Sequence, residues 1–206
     1  MPNLSKEKAF TALFPNKKYD DVLMRQMMSY LYKIIQKYLI TEEVLSNEIE
    51  SQMQLIHALR HRNSDKILEK QLSEAFKVLE NQPFKSIRYH FYNYSLRKEE
   101  YENFSKKNRS AELHLQNLSD ELDNYYSSER LKQASILYAH QTISKHNYTQ
   151  LLLPSVIEKI SDDKIAAVPA VLAYFHSYKA LTEPDNIKHF LELKNTIIEK
   201  GEFSRE

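Results

Sequence analysis

The chain has 206 residues and a single glycine, Gly201, where average usage would supply roughly fourteen. Hairpin turns, bulges and phosphate-cradling loops rely on glycine, because only glycine takes positive φ without steric cost. Its near absence argues against sheet architecture and leaves no room for Walker, dinucleotide or Gly-x-Ser-x-Gly motifs. Cysteine and tryptophan are missing altogether. Disulfides, thiolate catalysis and Cys-ligated metals are thereby excluded.

Charge of one sign is missing too. The 29 Lys+Arg residues are balanced by 28 Asp+Glu, whereas nucleic-acid binders normally carry the basic surplus that phosphate neutralisation needs. No nucleic-acid partner is expected. No apolar run approaches the ~18 residues that a membrane span requires. The start, Met1-Pro2-Asn3-Leu4-Ser5-Lys6-Glu7, lacks the basic-then-apolar pattern of a signal peptide. The expectation is a soluble, cytoplasmic chain with no membrane insertion.

What remains is helical periodicity. The prolines at 2, 15, 83, 154, 169 and 184 stand where apolar spacing of three and four is interrupted, as helix starts and connectors require. The spacing predicts helices over Ser5–Phe14, Asp20–Leu39, Asn47–Arg62, Ser64–Glu80 and Ser86–Lys106. A sixth runs from Ser110 and is expected to break at Ser127-Ser128, since paired serines compete for backbone hydrogen bonds. A seventh carries Leu131, Ala134, Leu137 and Tyr138. Further helices cover Pro154–Ile160, Ala167–Leu181 and Asp185–Lys200, with Gly201 at the closing left-handed position.

Ser5 and Asp20 suit N-caps, and Asn47 with Glu50 has capping-box spacing. More than about 65% helix and no sheet is expected. Leu31, Ile34, Leu59, Leu72, Phe76, Leu118, Leu122, Leu137 and Leu172 are the expected core.

The predicted fold class is all-α. Segments of this length joined by short linkers lie antiparallel, as a tetratricopeptide-like α-solenoid or, alternatively, a compact multi-helix bundle. The aromatic pairs Phe91-Tyr92, Tyr125-Tyr126 and Tyr174-Phe175 fall 34 and 49 residues apart. The first interval matches the tetratricopeptide period and the second does not. Phe10-x-x-Leu13-Phe14-Pro15 with Tyr19, Leu55-x-x-Ala58-Leu59-Arg60, and Leu122-Asp123-x-Tyr125-Tyr126 with Arg130-Leu131 resemble an uncharacterised bacterial family. The resemblance implies a longer all-helical protein with tetratricopeptide-like segments, and no activity or functional residues. Residues 1–206 are then expected to form one helical-repeat domain from a longer protein.

Four groups of residues carry chemistry worth weighing. His57 and His61 are spaced i, i+4, which is half of a metal site, but no third ligand is indicated. A role at the helix dipole is the expectation, with no metal and no cofactor. Asp20-Asp21 and Asp162-Asp163 read as helix starts rather than magnesium ligands. Arg60, His61, Arg62 and Lys66, and Lys106, Lys107 and Arg109, read as solvated helix ends. Fourteen tyrosines are a high load, and most are expected to pack between helices.

Tyr89, Tyr92 and Tyr94 cover more than one helix face, so a groove lined by Tyr89, Tyr92, Arg88 and Lys98 is the expected partner site. The functional expectation is a non-enzymatic helical scaffold for a protein or peptide. The alternatives are a structural segment of a larger protein and a helical enzyme.

Overall fold

The structure, a computed structural model, describes residues 5–62, 64–107, 113–160 and 168–200. Its first three helices begin where side chains satisfy free backbone N–H groups. Ser5 Oγ accepts from the Lys8 amide at 3.3 Å and opens α1 (Lys6–Leu13). Asp20 Oδ1 accepts from the amides of Val22 and Leu23, at 2.9 and 3.0 Å, and opens α2 (Asp21–Ser46). Asn47, extended at φ −109° and ψ 110°, breaks the chain between α2 and α3 (Glu48–Arg60). Its Oδ1 accepts from the Glu50 amide at 3.3 Å. These are the predicted caps.

There follow α4 (Asp65–Glu80), α5 (Ile87–Lys107), α6 (Leu115–Ile143), α7 (Leu153–Lys159), α8 (Pro169–Thr182) and α9 (Ile187–Lys200). The described residues hold nine helices, are 80% helical and contain no strand. The protein is all-α.

Two compact units divide the chain, one ending at Ser51 and the other starting at Gln52. In the first, Phe10 is fully buried, with its ring 5.1 Å from Phe14 and edge-on to Tyr19 at 5.4 Å. In the second, α4 packs on α5, α5 on α6, α6 on α7 and α8, and α8 on α9. Leu68, Leu72, Ala75 and Leu79 form the buried stripe of α4, at the i, i+4, i+7, i+11 spacing of one helix face. Leu131, Ala134, Leu153, Val156, Ile160 and Val171 form a core cluster, against which Tyr174, Phe175 and Tyr178 pack.

Several expectations are corrected. Helix α6 runs unbroken through Ser127 and Ser128, both buried. Small side chains at a helix contact let neighbours approach closely, and here that outweighs serine's preference for caps. Helix α2 continues to Ser46, seven residues beyond the predicted end at Leu39.

Of the expected core, Leu72 is buried, while Leu59, Phe76, Leu118, Leu137 and Leu172 are half-buried. Leu31, Ile34 and Leu122 are exposed, at 57%, 62% and 42%. For the first two the reason is simple: among the described residues, the stretch of α2 from Met28 to Glu43 is exposed throughout. The expectations for Asp162, Asp163 and Gly201, the starts at Ser110 and Ala167, and the side-chain readings of Lys106, Lys107 and Arg109 lie outside the described residues.

Candidate protein-docking surface

Helix α2 has the most apolar sequence of the long helices and the least cover. Every residue from Met28 to Glu43 is exposed. Among them Tyr30, Leu31, Tyr32, Ile34, Tyr38, Leu39 and Ile40 each keep 57–67% of their surface in solvent. At 3.6 residues per turn, the arc from Tyr30 round through Leu31 to Tyr32 spans slightly more than half of the circumference and is apolar but for Thr41 and Glu42. Arg25, Gln26, Ser29, Lys33, Gln36 and Lys37 fill most of the rest.

Burial of one such large side chain contributes roughly 1.5–3 kcal/mol, and helices draw most of their stability from packing an apolar face. A contiguous exposed apolar patch of this extent makes α2 the candidate interaction surface.

The interior of the second unit is built differently. Tyr89 and Tyr92 are buried, at 8% and 7% exposure, whereas Arg88 and Lys98 are exposed. The four expected partner residues therefore do not share a surface. Tyr89 and Tyr92 belong to one stripe of α5 that continues through Leu96, Glu99 and Asn103, all buried. Its polar members hid the stripe from a hydrophobic pattern. Burial pushes the Tyr89 hydroxyl above the ordinary tyrosine range, and the carboxylates of Glu121 and Glu80 add to the shift.

Glu99 organises a charged cluster between α3 and α5. Arg60 Nη1 donates to both of its carboxylate oxygens, at 3.1 and 3.0 Å, and also to Glu102. His57 Nε2 lies 3.2 Å from Glu99 Oε1. Arg60 is therefore an internal ion-pair partner rather than part of a solvated helix end, because a carboxylate as buried as Glu99 requires a counter-charge. His61 and Arg62 remain exposed. Between α5 and α6, His90 Nδ1 sits 2.8 Å from Glu121 Oε2. The carboxylate can only accept, so the ring nitrogen donates.

Between α8 and α9, His176 Nδ1 and His189 Nδ1 are 3.0 Å apart, and one ring must donate to the other. Burial holds His176 below the ordinary histidine range, and the neighbouring His189 adds to the effect. Glu183 lies 3.5 Å from His189 Nε2, on the far side of that ring. Two imidazoles thus converge, but among the described residues no three His, Cys, Asp or Glu side chains are placed to hold a metal ion. Asp20 and Asp21 are committed locally, Asp20 to its cap and Asp21 to Tyr19 and Arg25.

The chain matches no family model, no curated protein and no solved structure. Among the described residues no helix is long and apolar enough to cross a membrane. The apolar face of α2 is legible in the sequence, but Leu31 and Ile34, expected in the core, are exposed. An apolar periodicity reports that a face is apolar and not whether it is covered.

Proposed function

We propose that this chain is a non-enzymatic helical scaffold that binds a protein or peptide partner, and that α2 is its docking element. The observation that carries this reading is the fully exposed run from Met28 to Glu43, apolar over most of its circumference. In this reading the helices are degenerate tetratricopeptide-like hairpins of a cytoplasmic, bacterial protein. The sequential packing of α4 on α5 and of α5 on α6 supports the hairpins.

The test is quantitative affinity capture from lysate with the wild-type chain and a Leu31→Glu/Ile34→Glu variant, with circular dichroism confirming equal helicity. Partners retained by the wild type and lost by the variant are expected. Identical recovery by both would remove α2 from the binding role.

A further inference from the structure

Resting on the reading of α2 as the docking element, we infer that its occupant is the α2 helix of further copies of this chain, aligned in parallel. The argument begins with heptad spacing. Leu31, Tyr38 and Leu45 recur every seven residues at one seam position, a, and Ile34 stands at the other, d. The positions flanking that seam are e and g. In a parallel pair each g residue meets the e residue five places further along the partner.

Three such pairs fall within α2. Leu23 meets Met28, Tyr30 meets Ile35, and Lys37 meets Glu42. Apolar flanks apolar, and the one cationic g position meets the one anionic e position, twice by symmetry. Antiparallel pairing brings g to g and e to e. It would set Glu42 against Met28, Ile35 or a second Glu42, and leave Lys37 without an opposite charge. Charge complementarity therefore selects identical copies in parallel.

Area agrees. The large apolar side chains at a, d, e and g from Met28 to Leu45 are 45–67% exposed, the half-buried Val44 aside. Together they present on the order of 800 Å² per chain, which is the share each partner contributes to a standard stable interface. Leu at a with Ile at d suits bundles of more than two helices. Tyr32 and Leu39, which border the e residues Met28 and Ile35 and are equally exposed, supply apolar surface for added copies. Two copies are the minimum assembly.

Light scattering on the purified full chain at micromolar concentration tests this. A mass of at least twice 24.5 kDa is expected. Lys37→Glu should raise the dissociation constant ~10-fold by setting like charges opposite, and adding Glu42→Lys should restore it. The absence of cysteine permits a direct reading of alignment. A parallel seam places both copies of Tyr38→Cys within disulfide reach, and mild oxidation should crosslink them. Gln36→Cys, on the polar face, should not crosslink.

A wild-type monomer, equal crosslinking at both positions, or a charge swap that fails to restore association would each overturn the inference. A monomer that still captures a partner through Leu31 and Ile34 would leave the docking role of α2 standing and remove only self-association. A monomer with no such capture would remove both.

Discussion

Helices α2 and α6 are similar in length, 26 and 29 residues, and opposite in outcome. Helix α6 carries small residues, Ser127, Ser128 and Ala134, where it is most buried, and α5, α7 and α8 pack against it. Helix α2 carries large side chains round most of its circumference, and only Met24 is buried. A strong apolar pattern shows that a face gains by being covered. It does not name the cover. Small residues at regular positions identify the helix that neighbours have already approached.

The contrast should show most in core truncations. Leu131→Ala is expected to lower the unfolding free energy by ~2–5 kcal/mol, from lost transfer energy and the cavity left behind. Leu31→Ala, measured at dilutions where the chain is monomeric, should change it by ~0.5 kcal/mol or less. Urea titrations of both variants decide, and equal losses would break the comparison.

Arginines sharpen it next. Arg60→Ala strips a buried carboxylate of its bidentate partner and should cost about 2 kcal/mol. Arg25→Ala removes only an exposed i, i+4 pair with Asp21, for a loss below ~0.5 kcal/mol. The same titrations would expose a reversal of that order.

A smaller effect is expected at the start of α2. Asp20→Ala deletes two hydrogen bonds to the first turn, and should cost ~1 kcal/mol. Because Met24 is the one buried side chain of α2, the loss should appear as reduced helical ellipticity in the monomer. An unchanged spectrum would mean that α2 is held by contacts other than its cap.

The smallest effect is a pH dependence from the packed side. His176 binds its proton less readily in the folded state than its ordinary 6.5, so the unfolded chain takes up protons first as pH falls. Stability should therefore decline as pH drops through about 6.5, and level off below the lowered folded value. Melting temperatures between about pH 8 and pH 5 should show this slope. In His176→Gln the slope should be shallower, and an unchanged slope would assign it to other groups.

Much of the fold was legible because its signals are local. Ser5, Asp20 and Asn47 cap as their side chains dictate, and Pro169 opens α8. The break expected at Ser127-Ser128 failed because tertiary contact overrode propensity, and no local pattern reports such contact. Tyr89 and Tyr92, expected at a groove surface, are buried for a related reason. Glu99 and Asn103 lie on the buried stripe, so the polar-out rule placed Tyr89 and Tyr92 on the wrong side. Glu99 could be seen as interior only once Arg60 and His57, some forty residues earlier, were known to face it.

The uninterrupted course of α6 also bears on how the second unit comes apart. A helix of 29 residues is a rod of about 43 Å, and three neighbours lean on it. Loss of α4 or α9 from the succession would forfeit one interface, whereas fraying α6 dissolves three together. Partial unfolding is therefore expected to find no stopping point between the α4–α5 side and the α8–α9 side. The described helices from α4 to α9 should open as a single cooperative body, with Leu131 and Ala134, both fully buried, among the last residues to meet water.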